Sequence, residues 1–285
     1  PMSWTDVLDN MAATAERALG GRNPGDYVKD GLLYCGKCKT NKQTRITLFG
    51  KTRIVRCTCR CEQERAALEE AARKETTRRL EAARNRQAGF PHSDMGDWTF
   101  AADDGKDAAT TRIAKAYVAH FRAMRDKGRG LLLYGPCGTG KTYVAACIAN
   151  ALIDQGYPCL VTNFARISNT VSGMRDGRQQ YMDSLNRYDL LVLDDLGAER
   201  TTEYMTEMVF NIVDARYRAG LPMIVTSNLT LDELLHPASV TEQRIYSRVL
   251  ERCHPVEVIG ADRRQRKIME SHEEMRKLLG LEDGA

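Results

Sequence analysis

The stretch Leu131-Leu-Leu-Tyr134-Gly135-Pro136-Cys137-Gly138-Thr139-Gly140-Lys141-Thr142-Tyr143 decides how this chain reads. An apolar run ends in a glycine-rich loop of the form G-x-x-x-x-G-K-[ST], and helical spacing follows from Lys141 to Gln155. Glycines let a backbone fold tightly enough for its N–H groups to point at phosphate oxygens. The helix N-terminus adds a positive dipole end, Lys141 adds a mobile cation, and the Thr142 hydroxyl can ligate Mg²⁺. Residues Gly135 to Tyr143 are therefore expected to hold a nucleotide. A bare glycine turn is the competing reading, and the strand before it and helix after it argue against that.

Outward from the loop the pattern alternates. Strands are expected at 131–134, Cys159–Asn163, Leu190–Asp194, Met223–Ser227 and Val256–Ile259, with helices at 107–127, 141–155, Glu203–Ala219 and Glu242–Arg252. Such βα alternation calls for an α/β fold with a parallel sheet covered on both faces and ligands at its carboxyl ends. The run Leu190-Leu-Val-Leu-Asp194-Asp195 ends in two acids at that place. Asp194 is expected to hold Mg²⁺ with Thr142, and Asp195 to orient an attacking water. The next strand runs into Asn228, whose amide can report on the γ-phosphate.

Cysteine usage marks a second region. Five of the nine cysteines lie between Cys35 and Cys61. Cys35-x-x-Cys38 is a knuckle, and four thiolates make a closed structural site for Zn²⁺. Cys59 and Cys61 are the expected partners, nearest the following helix, with Cys57 the alternate. A hairpin between them is expected, with strands Thr44–Phe49 and Thr52–Arg56 and Gly50-Lys51 as its turn. Such a site supplies folding energy that so short a segment lacks.

Residues 62–88 carry Glu, Arg and Ala without Pro or Gly, which reads as a charged, solvated helix. Gly89-Phe90-Pro91 ends it. The expected division is 1–61 (an N-terminal helix with an apolar stripe from Trp4 to Leu19, and the zinc-binding part), 62–89 (linker helix) and 90–285 (nucleotide-binding domain). No run approaches 18 apolar residues, so no membrane span is expected. No apolar leader is visible either, so a cytoplasmic setting is expected, with thiols rather than disulfides. Net charge is a mild +4, which permits nucleic-acid contact without requiring it. Bases gather in the last third, including Arg244, Arg248, Arg252, Arg263 and Arg264.

The phosphate loop, the Asp194-Asp195 pair and Asn228 together resemble the AAA+ ATPases. Asp194-Asp-Leu-Gly-Ala-Glu199, Thr226-Ser-Asn-Leu229, Arg244-Ile-Tyr-Ser-Arg-Val-Leu250 and Gly260-Ala-Asp-Arg-Arg264 narrow the resemblance to the DnaC/IstB branch of bacterial and phage helicase loaders, over roughly 90–268. The cysteine segment is more loosely similar to the N-terminal regions of DnaI-like loaders. The resemblance implies slow, assembly-dependent ATP hydrolysis and a DnaB-type replicative helicase gripped by the N-terminal domain. It also implies single-stranded DNA as a ligand and self-association through the ATPase domain. In it Arg248, or Arg244, acts as a finger on a neighbour's γ-phosphate, and Arg264 contacts nucleotide in cis. Phe164 and Arg166 are candidate DNA contacts. The other readings are an IstB-like transposition helper with a transposase as partner, and a zinc nucleic-acid-binding module with a regulatory phosphate loop. A nucleotide kinase would need a lid and an acceptor site, which the sequence does not display.

Overall fold

The computed structural model describes residues 23–91, 94–103, 105, 107–197, 203–279 and 281, apart from the side chains of 264–267, 269 and 270. The stripe from Trp4 to Leu19 lies outside the described residues. Two compact units form, Pro1–Thr77 and Arg78–Ala285, and the division falls inside the helix Arg60–Gly89. The sequence reading places it at 89–91.

In the first unit, β1 (Tyr27–Lys29) and β2 (Leu32–Tyr34) form an antiparallel hairpin, and β3 (Gln43–Leu48) pairs with β4 (Lys51–Arg56) in another. The second hairpin turns at Phe49-Gly50, one residue earlier than expected, with φ of 50° and 75°. A two-residue turn of this hand needs positive φ at both central positions. That pins Leu48 opposite Lys51. The first hairpin, turned at Asp30-Gly31 in the same conformation, escapes the sequence reading because three-residue strands show no usable alternation. The buried apolar residues described in this unit are two cysteines, Cys35 and Cys59. The buried cation Lys42 pairs with Asp26 at 2.9 Å and Glu62 at 3.3 Å.

The second unit is a five-stranded parallel sheet. Its order is β6 (Cys159–Asn163), β7 (Leu190–Leu196), β8 (Met223–Ser227), β5 (Gly130–Tyr134) and β9 (Cys253–Glu257). Alternate side chains enter opposite layers. Leu131, Leu133, Val192 and Ile224 pack with the helices Ala108–Ala119 and Lys141–Asp154. Leu132, Leu191, Leu193 and Val225 pack with the helices Phe164–Ser172, Glu203–Ala219 and Val240–Arg252. The last strand starts three residues before the expected Val256, straight from the preceding helix. Pro255 lies within it, which is tolerated because β9 pairs with β5 alone at the sheet edge. The expected helix over 107–127 is split at His120 into Ala108–Ala119 and Phe121–Asp126. Among the described residues no helix is long and apolar enough to cross a membrane.

Candidate functional site

The glycine loop joins the carboxyl end of central strand β5 to the helix Lys141–Asp154. Gly135, Gly138 and Gly140 take φ of 132°, 76° and 104°, values that other residues adopt only with strain. At Gly138 a side chain would also run into the Asp262 carboxylate. Thr139 donates to the Pro136 carbonyl at 2.9 Å, and Cys137 is exposed. Lys141 is buried, and its ammonium donates to the carbonyls of Gly135 (2.8 Å) and Pro136 (2.7 Å). Tyr143 faces elsewhere: its hydroxyl donates to Thr99 O at 2.8 Å and its ring lies against Trp98.

The acids converge on this loop. Thr142 donates to both Asp194 oxygens, at 2.9 and 3.2 Å, and Thr226 donates to Oδ1 at 2.6 Å. Burial holds the Asp194 carboxyl above its ordinary range. A hydroxyl and a desolvated carboxylate in contact beside a phosphate loop form an oxygen donor set suited to a hard dication. Asp195 is exposed, and its φ of 61° falls where the β7–β8 register shifts between Leu193 and Leu196. Such a bulge re-aims a side chain at the strand end, and a non-glycine residue held in this conformation points to function. Its N–H donates to Thr226 Oγ1 at 2.9 Å. Thr226 thus ties both acids to β8, a role that the sequence reading missed. A threonine next to the last residue of the strand that leads into Asn228 was the available signal. Asn228 is exposed just past β8.

Among the arginines, the Arg264 side chain lies outside the described residues. Its neighbour Arg263, read in the sequence as one of the gathered bases without a role of its own, lies over the loop. The Arg263 N–H donates to Gly138 O at 2.9 Å, and its guanidinium comes beside Gly140 and within 3.9 Å of Asp103. Arg244 and Arg248 share one helix face, both stacked on Phe210. Arg248 is held in its own chain by Asp214 at 2.9 Å, whereas Arg244 is exposed. The candidate DNA contacts need correcting. Phe164 is 1% exposed, inside the core, and Arg166 donates to the Pro91 carbonyl. The aromatic that follows β6 completes the apolar layer.

The linker helix is solvated along most of its length, but its last turns are anchored. Arg86 donates to Asn150 Oδ1 (3.0 Å) and to Asp154 (2.6 Å) on the phosphate-loop helix. Asn150 in turn donates to the carbonyls of Met95 and Trp98, both at 2.9 Å.

In the first unit, the sulfurs of Cys35, Cys38, Cys59 and Cys61 all lie within 4.8 Å of one another. Cys61 is 3.5 Å from Cys35 and 3.3 Å from Cys59. A Zn²⁺ tetrahedron with bonds of about 2.3 Å has sulfur edges of about 3.8 Å, so the donor set fits. Lys39, at φ 59°, closes the knuckle, and its N–H donates to Cys35 O at 3.0 Å. Cys59 lies at the helix start, where Glu62 accepts from its N–H at 3.2 Å. Hydrogen bonds from the Thr40 hydroxyl, then from backbone N–H groups, pull the Cys38 thiol down to about 5. Hydrogen bonding with the Cys59 sulfur, then with that of Cys35, pushes the Cys61 thiol up to about 12. Cys57 turns instead to Asn41.

The chain is similar to proteins of two kinds. It is 29% identical over 150 residues to the replicative helicase loader DnaI of Bacillus subtilis, covering 48% of each chain. It is 27% identical over 212 residues to a putative ATP-binding protein in an insertion sequence of Mycobacterium tuberculosis, covering 70% of this chain and 78% of that one. It thus spans about half the length of DnaI. The crystal structure of a putative primosome component from Streptococcus pyogenes shares the fold, with a TM-score of 0.50 at 23% identity over 59% of this chain and 90% of that one. The family model for the IstB-like ATP binding protein matches residues 63–271, a span that takes in the phosphate loop, both acids and the last strand. On that match the chain belongs to the IstB-like ATP-binding family, within the AAA+ ATPases.

Proposed function

We propose that this chain is an ATP-dependent loader that places a DnaB-type replicative helicase on single-stranded DNA during replication initiation. It would grip the helicase through its N-terminal part and assemble with copies of itself, in a cytoplasmic setting. The observation that carries this reading is the presence, on one chain, of a built triphosphate site and a separately held four-thiol unit. The first suits a switch, and the second suits a rigid adaptor for a protein partner. The DnaI likeness supports the same assignment.

In this reading the Lys141 ammonium leaves the Gly135 and Pro136 carbonyls for the β- and γ-phosphates. Thr142 and Asp194 hold Mg²⁺, which supplies positive charge to the phosphate oxygens when bound. Asp195 orients the attacking water, and Asn228 senses the γ-phosphate. Aspartate is a methylene shorter than glutamate, so turnover is slow. Arg263 or its neighbour Arg264 contacts the nucleotide in cis. Arg248 would reach a neighbour's γ-phosphate only by leaving Asp214; Arg244 is exposed and is the alternate. Cys35, Cys38, Cys59 and Cys61 hold Zn²⁺, which supplies folding energy.

Capture of the host's replicative helicase by the full chain is the expected outcome of a pull-down. Capture of a transposase instead would replace the loader with a transposition helper. The insertion-sequence relative favours that second reading, because its alignment spans more of both chains than the alignment with DnaI.

A further inference from the structure

The charge of this chain is unevenly placed. Between Asn23 and Cys61 nine Lys and Arg stand against two Asp, an excess of seven, while the whole chain carries +4. The rest of the chain is therefore net negative. Four thiolates around a dication would lower the excess to about five. Burial removes one charge of each sign and leaves the excess unchanged. Asp26 is held under Lys42, with its side chain 2% exposed. Among the charged side chains left exposed in this segment are eight cations and one acid, Asp30.

The hairpin β3–β4 concentrates the pattern. It carries Arg45 and Arg56 on one face and Lys51 and Arg53 on the other, all exposed, and no acid of its own, with Glu62 4.0 Å from Arg56. Its tip is Phe49, 94% exposed and set in a positive-φ turn, with the half-exposed Leu48 on one face of the ribbon and Ile54 on the other. On the neighbouring hairpin, Tyr27 and Tyr34 stack at 5.6 Å with Lys39 over the Tyr27 ring. Among the described residues, this aromatic ring at the end of a basic ribbon is almost fully exposed and adds little to packing. Flat apolar faces among cations are what unpaired bases on a phosphate backbone require: stacking surfaces and counter-charge, with no need to read sequence.

We infer that the four-thiol unit is a single-stranded nucleic-acid contact in its own right, with Phe49 stacking on a base and Arg45, Lys51, Arg53 and Arg56 flanking the phosphates. This contact stands whether the ATPase unit serves a helicase or a transposase. It also differs from the position after β6, where Phe164 is buried.

The test is a fluorescence titration of the full, zinc-loaded chain with a mixed-sequence single-stranded oligonucleotide and with the matching duplex, over a range of salt. The native chain should prefer the single strand. Replacing Arg45, Lys51, Arg53 and Arg56 together with Gln should lower the salt slope by about 3, at roughly 0.7 per phosphate contact. Phe49→Ala should weaken binding by about 5- to 100-fold, and Phe49→Trp should restore it. Zinc content and ATP affinity should stay at native levels in every variant, which separates this contact from the ATPase assignment. Unchanged slope and affinity in the variants would overturn the inference, as would equal affinity for the duplex. So would variants that keep oligonucleotide binding but lose capture of an acidic protein partner.

Discussion

The two units of this chain solve the folding problem by different means. The sheet unit buries aliphatic side chains on both faces, with Leu132, Leu193, Val192 and Ile224 each at 0% exposure. At about 25 cal/mol per Å² of apolar surface, such layers hold a domain without help. Among its described residues the first unit has nothing comparable: the buried apolar positions there are thiols, and the central polar group is the Lys42–Asp26–Glu62 cluster. One unit is held by oil, and the described part of the other by charge and by a four-thiol cluster that fits a metal ion. The chemistry follows the same division, because a rigid sheet can present a strained acid such as Asp195, while a small four-thiol knuckle can present basic ribbons to a partner.

The sharpest break between them should come from metal removal. Structural Zn²⁺ contributes about 10–16 kcal/mol in small modules. A chelator should therefore abolish hydrogen-exchange protection in β1 to β4 while leaving β5 to β9 protected. Simultaneous loss in both units would refute the division. A smaller effect is expected inside the sheet unit. Asn150→Ala leaves the Met95 and Trp98 carbonyls and the Arg86 guanidinium without that partner, at about 1–3 kcal/mol. Thermal unfolding should report the cost, and an unchanged midpoint would show that water replaces the amide. Smaller still is a pH effect confined to the first unit. The hydrogen bond from Lys42 holds the Asp26 carboxyl below its ordinary 3.8. Its stabilisation is thus complete above that value and is lost as pH falls through the lowered one. Asp26→Asn should flatten this acid limb of the first unit's stability, followed by hydrogen exchange, and leave the sheet unit unmoved.

These differences also explain what could be read from the sequence. The sheet unit announces itself because apolar strands, helical spacing and a glycine loop follow one another in a fixed order. Four of its five strands are where the alternation places them, whereas the fifth, expected at Val256–Ile259, starts and ends earlier, at Cys253–Glu257. The phosphate loop and the paired acids were legible because their chemistry requires particular residues at particular spacing. The parts played by Thr226, Asp262 and Arg263 were not, although all three stand in motifs that carry the resemblance. They reach the site from a different strand or helix start, so their relevance depends on register rather than on local pattern. The same holds for Arg248, whose pairing with Asp214 joins two helices far apart in sequence. In the first unit the knuckle was legible and the β1–β2 hairpin was not, since three-residue strands built around thiols carry little periodicity.

The assignment of the nucleotide site rests on a displaced ammonium: Lys141 must trade two loop carbonyls for phosphate oxygens. Titration of the full chain with ATP and Mg²⁺, beside Lys141→Ala, tests this most directly. A charge-assisted contact contributes about 1.5–3 kcal/mol, so the variant should bind ATP at least tenfold more weakly while keeping native thermal stability. Undiminished ATP affinity in Lys141→Ala would contradict the assignment.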